Sequence, residues 1–174
     1  MPSPTKHATS LAQTQKLATS AVLASLGLIF SYIEAILPFS FGIPGIKLGI
    51  ANLVVIIALY TLGRSYALSI NVIRILVAGL LFNGLFGAVY SLAGALLSFI
   101  VMVLLKKTNK FSIIGVSMAG GVTHNIGQLL IAAAIISNIK IFFYFPILLF
   151  SGMITGILIG FIAHFILRRS QGFM

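Results

Sequence analysis

The polar side chains that could bind a ligand or take part in a reaction are few in this sequence, and most of them lie within long apolar stretches. The densest group recurs at the spacing of one helix face and consists of Ser117, Gly121, His124 and Gln128, with Asn125 beside them. Side chains three, four and seven positions apart share a face of an α-helix. An imidazole and two carboxamides on such a face favour the lining of a ligand site. A histidine satisfied by internal packing is the alternative.

Two ionisable residues also interrupt apolar stretches, Arg74 near the middle of one and Glu34 in the last turn of another. Because an ionisable residue at the centre of a bilayer costs about 2.5–3.5 kcal/mol on insertion scales, each should be paired, hydrated or functional. Three interpretations stay open: an ion pair of Glu34 with Arg74 or Lys47, contact with a polar ligand, or extension towards the membrane surface. We expect Tyr90 and Asn83 to meet the same site from a neighbouring helix. The predicted substrate-binding residues are therefore His124, Asn125, Gln128, Tyr90, Asn83, Arg74 and Glu34.

Composition excludes several classes of protein before any fold is considered. The 174 residues are 60% hydrophobic and 7% charged, with a formal net charge of +10, whereas soluble domains carry about 25% charged residues. Neither a soluble monomer nor a disordered chain fits this composition. A basic chain often binds nucleic acid. Here, however, the Lys and Arg residues separate the apolar stretches, which indicates membrane topology and no nucleic-acid partner.

The same composition argues against catalysis. Glu34 is the single acidic residue and there is no cysteine. The chain therefore cannot supply the carboxylate cluster that holds Mg²⁺ in diphosphate chemistry, nor a thiolate nucleophile. It also lacks the phosphate-binding loop GxxxxGK(S/T), a serine nucleophile elbow and the zinc motif HExxH. We predict a binding protein that is not an enzyme and that uses no cofactor or metal.

Six transmembrane helices are predicted, since an apolar run of about 20 residues crosses a bilayer. The spans are 17–37, 48–62, 67–82, 85–105, 113–136 and 141–167. The second would be only about 22 Å long as a helix and could instead re-enter on the same side. Residues 1–16 are polar and are expected to form a mobile cytoplasmic tail ahead of a membrane domain of residues 17–169.

The distribution of basic residues orients this all-α bundle. Six spans place both termini on one side of the membrane, and eight basic residues then fall on that side: Lys6, Lys16, Arg64, Lys106, Lys107, Lys110, Arg168 and Arg169. Only Lys47 and Lys140 fall on the other side. Because cytoplasmic segments are enriched in Lys and Arg, we predict a multi-pass plasma-membrane protein with cytoplasmic termini.

Small residues recur every three or four positions in three of the spans, and helices in lipid pack closely along such stripes. The stripes are Ser20, Ala24, Gly27 and Ser31 in the first span, Gly87, Ser91, Gly94 and Ser98 in the fourth, and Gly152, Gly156 and Gly160 in the sixth. Internal packing is the expectation for the fourth and sixth spans. The first stripe stays open between internal packing and docking of another membrane protein. Asn52 and Asn71 are expected to form hydrogen bonds between helices.

Three stretches carry a resemblance to a known family: PGIKLGIANLV (Pro44–Val54), VYSLAGALLSFIVMVLLKK (Val89–Lys107) and FSIIGVSMAGGVTHNIGQLL (Phe111–Leu130). They resemble the Gx transporter family, often labelled heptaprenyl diphosphate synthase component I, over nearly the whole chain beyond the N-terminal tail. That family is similar to the substrate-binding S-components of energy-coupling factor (ECF) transporters. The resemblance implies a six-helix membrane protein that binds a small molecule from outside.

Partners and some residue roles also follow from the resemblance. It implies association with a transmembrane coupling subunit and two cytoplasmic ATPase subunits. In S-components the first helix docks on the coupling subunit through small residues, which here implies Ser20, Ala24, Gly27 and Ser31. The ligand pocket of that group lies near the outer face and is capped by the loop after the first helix, which here is Pro38–Lys47.

The leading hypothesis is a substrate-capture subunit of an ECF-type importer for a water-soluble vitamin or vitamin precursor. The excess of basic over acidic groups near the predicted site favours an anionic or neutral polar substrate. One alternative is a membrane accessory subunit of prenyl diphosphate or quinone biosynthesis that holds a lipid-soluble product. Another is a small self-sufficient exporter in which Glu34 couples efflux to protons.

Overall fold

The fold is all-helical in the part of the chain that the structure, a computed structural model, describes: residues 6–36 and 49–171. Six α-helices lie in these ranges: α1 (Lys6–Ile36), α2 (Ile50–Thr61), α3 (Arg64–Ala78), α4 (Gly84–Thr108), α5 (Ile113–Ile136) and α6 (Phe145–Gln171). A π-helical turn (Gly79–Asn83) joins α3 to α4, and a 3-10 turn (Ile139–Tyr144) leads into α6. The predicted all-α fold is confirmed over this part of the chain.

Four helical runs in the described residues are long and apolar enough to cross a membrane: Leu11–Ile36, Arg64–Thr108, Ile113–Ile136 and Ile139–Arg169. Their outward side chains are apolar, and Leu80, Leu85 and Phe143 are 86%, 78% and 83% exposed. Such a surface requires lipid around it, because contiguous apolar patches of this extent are rare on proteins in water. The chain is therefore a membrane protein. Six crossings and cytoplasmic termini stay predictions.

The first helix begins ahead of the predicted first span. α1 is helical from Lys6 onwards, so residues 6–16 continue the helix that the sequence was expected to start at Leu17. This stretch contains two Ala, two Gln, two Lys and one Leu among its eleven residues and neither Gly nor Pro, which favours a helix. With 31 residues, α1 is about 46 Å long, which exceeds the roughly 30 Å of a hydrocarbon core. One end of α1 must therefore project beyond the lipid.

The run Arg64–Thr108 contains two helices and a reversal at the predicted break Asn83-Gly84. A straight helix of its 45 residues would be about 68 Å long, more than twice a hydrocarbon core. Gly84 ends the π-helical turn with φ 68° and ψ 174°, a conformation that favours glycine. A side chain at Gly79 would collide with Ala88 across this turn. The close contact shows that the start of α4 folds back against the end of α3.

Helix α2 is short and almost completely enclosed. It has 12 residues and is about 18 Å long, too short to cross a bilayer alone, and seven of its residues are buried. Two side chains from other helices bind its ends. The Ile50 N–H donates to Glu34 Oε1 at 2.8 Å, and Lys106 Nζ donates to the Leu59 carbonyl at 2.5 Å. The sign of each charge complements the helix dipole at that end.

The helices form two groups along the chain. In the first, α1, α2 and α3 pack against one another, and in the second, α5 packs between α4 and α6. Contacts of α2 with α6 and of α3 with α4 join the two groups. A space remains between the two groups, and residues of all six helices line it.

The glycine stripe of α6 packs against α5, as predicted. A Cβ added at Gly156 would lie 2.7 Å from the Met118 Cα, and one at Gly160 would lie 2.8 Å from the Ile114 Cα. On the other side of α5, Gly94 of α4 lies so close that an added Cβ would be 2.7 Å from the His124 carbonyl oxygen. Small residues on both flanks therefore fix α5 between its neighbours. Gly94 of the fourth stripe and the three glycines of the sixth therefore pack inside the bundle.

One end of the bundle is filled by apolar side chains. Val54, Leu59, Val116 and Ala163 are at most 1% exposed and belong to a single core cluster with Phe99. This cluster lies towards the α2 end that Lys106 binds. Towards the Glu34 end of α2, the side chains between the two helix groups become polar and enclose a cavity.

Candidate functional site

A cavity of about 270 Å³ lies between the two helix groups. Every helix contributes at least one polar side chain to its wall, among them Ser31 of α1, Asn52 of α2, Arg74 of α3, Ser98 of α4, Gln128 of α5 and Thr155 of α6. Ile56, Met102 and Ile159 close it on the side of the apolar core. The space is thus a pocket with one packed end, lined by hydrogen-bonding groups within an otherwise apolar bundle.

Six of the seven predicted substrate-binding residues line this cavity. They are Glu34, Arg74, Asn83, His124, Asn125 and Gln128. Tyr90 is half-buried on α4 but is not part of the wall. The neighbouring Ser91 faces the cavity instead, and a helix turns by about 100° between successive residues. Binding of substrate by Tyr90 stays a prediction.

Arg74 is held by neutral oxygens from three helices. Its Nη1 donates to Ser31 Oγ at 3.0 Å, and its Nη2 donates to Asn71 Oδ1 at 2.8 Å and to Asn52 Oδ1 at 3.5 Å. The residue is 7% exposed. Its Nε has no hydrogen-bond partner among the described residues. The cation is therefore fixed in place at the cavity wall without a carboxylate bound to it.

The path of Arg74 across the bundle depends on Gly27 of α1. A Cβ at Gly27 would lie 2.8 Å from the Arg74 Cδ. Because Gly27 has no side chain, the Arg74 side chain can pass beside α1 and its guanidinium can reach Ser31. Asn52 and Asn71 were expected to hydrogen-bond between helices, and the Asn52 contact does link α2 to α3. The Asn71 contact lies within α3, between positions i and i+3.

Glu34 and Arg74 do not form the ion pair that was one of the three open interpretations. In the described ranges, Arg74 hydrogen-bonds only to uncharged side chains, while Glu34 accepts the backbone N–H of Ile50. The two still interact electrostatically at longer range. The alternative pair of Glu34 with Lys47 lies outside the described residues, as does the predicted capping loop Pro38–Lys47.

The predicted polar face of α5 forms one wall of the cavity. Ser117, Gly121, His124 and Gln128 all line it, as their helical spacing requires. Gln128 and Ser117 are each 2% exposed, and Gln128 Nε2 and Ser117 Oγ have no hydrogen-bond partner among the described residues. Buried polar groups are usually hydrogen-bonded. Two such groups facing one cavity indicate a place where a polar ligand can bind.

Asn125 has a second role besides lining the cavity. Its Nδ2 donates to the Leu148 carbonyl of α6 at 2.6 Å. The α6 backbone lies very near at this level, since a Cβ at Gly152 would be 3.0 Å from the same Nδ2. Asn125 therefore links α5 to α6, and this bond uses one of the two N–H donors of its amide.

The small-residue stripe of α1 faces the interior. Ser20, Gly27 and Ser31 are buried and Ala24 is half-buried. Gly27 contacts Arg74 and Ser31 accepts a hydrogen bond from it. Part of the stripe therefore packs within the bundle, and docking of a coupling subunit on it stays a prediction. On the opposite face of α1, Val22 and Ile29 are exposed.

Several wall residues were absent from the sequence-based site. Ser31 had been grouped with the packing or docking stripe, Asn52 with inter-helix hydrogen bonds and Ser98 with the stripe of α4. Thr155 had no assignment. Each is a polar residue within an apolar helix, but that signal alone does not say which of them face a common cavity. To say which of them do requires knowing which helices are neighbours.

The apolar exterior and the enclosed polar pocket together define an integral membrane protein with an internal cavity. The chain belongs to the Gx transporter family, whose family model, described as heptaprenyl diphosphate synthase component I, matches residues 23–166. The predicted family is confirmed. No curated protein and no solved structure matches the chain. The family label names a component of a synthase, whereas the family is of the membrane-transporter type.

Proposed function

We propose that this protein is the substrate-capture subunit of an ECF-type importer and binds a small vitamin or vitamin precursor. The observation that carries the proposal is the cavity lined by all six helices, in which Gln128 and Ser117 are buried without a hydrogen-bond partner among the described residues. Buried unpaired polar groups destabilise a fold. A ligand that binds them would compensate for this cost.

Because one end of the cavity is closed by packed side chains, a ligand could bind in the cavity but could not pass through the bundle. Ile56, Met102 and Ile159 separate the cavity from the opposite side of the bundle. A ligand that enters from the Glu34 end would be held there until the helices move. The sequence has no phosphate-binding loop with which to use ATP for that movement. The proposal therefore assigns the energy to a transmembrane coupling subunit and two ATPase subunits.

Co-purification from native membranes tests this assignment. An affinity-tagged chain, solubilised in mild detergent, should retain a multi-pass coupling subunit and two ATPase subunits, identified by mass spectrometry. The chain alone, reconstituted in liposomes with ATP, should show no uptake of small molecules. Uptake by the chain alone would contradict the proposal, because a subunit of this type depends on its partners.

A cavity variant tests the binding half of the proposal. Small molecules released by denaturing the purified chain should be detected by mass spectrometry at near-stoichiometric amounts. Replacement of Gln128 by Leu should deplete them about tenfold, the equivalent of one hydrogen bond worth about 1.4 kcal/mol. Tyr66→Phe is the matched control, because Tyr66 does not line the cavity. Equal retention by all three proteins would contradict a site at this cavity.

The family label favours a second candidate, a membrane accessory subunit of a prenyl diphosphate synthase. The same affinity purification distinguishes the two. Recovery of a soluble prenyltransferase, without ATPase subunits, would support the accessory role and contradict the importer.

A further inference from the structure

Two fully buried donor groups on residues of the cavity wall have no hydrogen-bond partner among the described residues. Arg74 Nε and Gln128 Nε2 are buried without partners among the described residues. Both groups can only donate. Ser117 Oγ is in the same condition and can donate as well as accept. A ligand that satisfies these groups must carry hydrogen-bond acceptors.

The charge balance points in the same direction. Arg74 is nine-tenths buried, and the oxygens that bind it belong to Ser31, Asn52 and Asn71, all uncharged. Glu34 is the single acidic residue of the chain, and its Oε1 is occupied by the N-terminal amide of α2. A buried cation is stable when an anion binds it directly. A ligand anion would supply the contact that the protein does not make.

The donors lie on opposite walls of the cavity. Arg74 comes from the α1–α3 group, and Gln128 and Ser117 come from α5 in the other group. One ligand that reaches both walls would bridge the two helix groups. The volume of about 270 Å³ lies just below the roughly 300–1,000 Å³ of pockets for drug-sized molecules, so that ligand is small.

These observations deepen the proposed function and rest on it. We propose that the captured substrate is a small organic monoanion whose carboxylate binds Arg74 and whose second acceptor, a carbonyl or ring nitrogen, binds Gln128. A single guanidinium matches a single carboxylate in charge and in its two-oxygen geometry. A diphosphate would bring several negative charges to a wall with one cation, Arg74, and a single carboxylate, Glu34, which is too few to hold Mg²⁺.

The experiment uses four probes that share one ring and differ in one group: benzoate, benzamide, benzylamine and phenyl phosphate. Each is titrated into the full chain, freed of co-purified molecules and held in lipid nanodiscs, and binding is measured by calorimetry. Benzoate should bind at least about tenfold more tightly than each of the other three probes. In Gln128→Leu the preference for benzoate over benzamide should persist with weaker binding of both.

The Arg74 wall is tested by substitution with a neutral side chain. Arg74→Gln should reduce the preference for benzoate over benzamide about tenfold or more. This change also removes the bonds of Arg74 to Ser31 and Asn52, so the variant could fail to fold. In that case the ranking of the four probes by the wild type, together with the ranking by Gln128→Leu, still tests the carboxylate assignment. Tyr66→Phe is the control and should keep the wild-type ranking, because Tyr66 does not line the cavity.

The possible results separate this inference from the proposed function. Tightest binding of benzylamine or phenyl phosphate, or no preference for benzoate, would overturn the carboxylate assignment. If an amine or a neutral molecule is nevertheless released from the purified chain, capture stands and only the ligand class is wrong. If no molecule is released and no ATPase subunit co-purifies, the proposed function itself fails.

Discussion

The two ends of helix α2 differ in what surrounds them, although a charged side chain from another helix binds each one. Near Lys106 the helix lies in an apolar core, where Ala58 and Leu59 are at most 1% exposed. Near Glu34 the helix borders the cavity, and there its polar residue Asn52 forms part of the cavity wall. A single 12-residue helix therefore joins a closely packed region to one that is polar and hollow.

The comparison shows where this fold departs from good local packing. In the core, side chains are apolar and in contact, as in any stable interior. In the cavity, Gln128 and Ser117 are buried but lack partners among the described residues. Departures from packing and hydrogen-bonding rules are expected at functional sites. The core then has a second role, which is to keep the helices in place around a region that contributes little stability itself.

The largest loss of stability should follow from separating α5 from α6. Gly156→Val places a side chain where a Cβ would lie 2.7 Å from the Met118 Cα, so the backbones must move apart. We expect a loss of about 3 kcal/mol in the free energy of unfolding, the upper part of the overpacking range. Unfolding in mixed detergent micelles, followed by circular dichroism, measures it.

Gly115→Ala is the control for that substitution. A Cβ at Gly115 would lie 3.6 Å from the nearest atom, which is ordinary contact. This variant should be as stable as the wild type. Equal losses in both variants would mean that the close α5–α6 approach does not hold the cavity wall.

The next largest loss of stability is expected for a core side chain, and a cavity side chain of equal burial provides the comparison. Leu59→Ala removes a side chain that is 1% exposed, and we expect a loss of about 2 kcal/mol from missing packing contacts. Gln128→Leu, equally buried, replaces an unpartnered carboxamide by an apolar group of similar size, and stability should stay the same or rise. Parallel unfolding curves measure both. A larger loss for Gln128→Leu would mean that the carboxamide is already satisfied within the bundle.

Sequence reasoning located the α5 wall because helix geometry is local. Residues at i, i+4, i+7 and i+11 share a face in any helix, and Ser117, Gly121, His124 and Gln128 do line the cavity. The six helices and the break at Asn83-Gly84 were likewise local properties of hydropathy and turn residues. Helix α1 begins at Lys6, ahead of the predicted span 17–37, because polar residues outside lipid can still form helix.

Contacts between distant residues could not be predicted in this way. Ser31 meets Arg74 from a position 43 residues away, and Glu34 meets Ile50 across 16 residues. Both contacts depend on how α1 lies against α2 and α3, which spacing within one helix does not specify. For that reason the stripe of α1 was open to a docking role, and Glu34 was not foreseen as a cap of α2.

A smaller loss of stability is expected when the Glu34 cap at the cavity end of α2 is removed. Glu34→Ala removes the acceptor of the Ile50 N–H, and loss of an N-terminal cap costs about 1 kcal/mol. Glu34→Gln keeps an oxygen at that place and should lose less. Thermal unfolding of both variants in nanodiscs measures the difference. If Glu34→Gln lost more than Glu34→Ala, the charge would act through something other than the cap.

The smallest effect should come from the cap at the core end. Lys106→Met removes the bond to the Leu59 carbonyl and the approach of Nζ to 4.5 Å from the centre of the Tyr60 ring. The side chain is partly solvated, and we expect a loss of about 0.5 kcal/mol. Lys107→Met, at an exposed neighbouring position, is the control and should leave stability unchanged. Because the apolar core already fixes this end of α2, its charged cap should matter less than Glu34 does beside the cavity. A loss for Lys106→Met as large as that for Glu34→Ala would show that both ends depend equally on their caps.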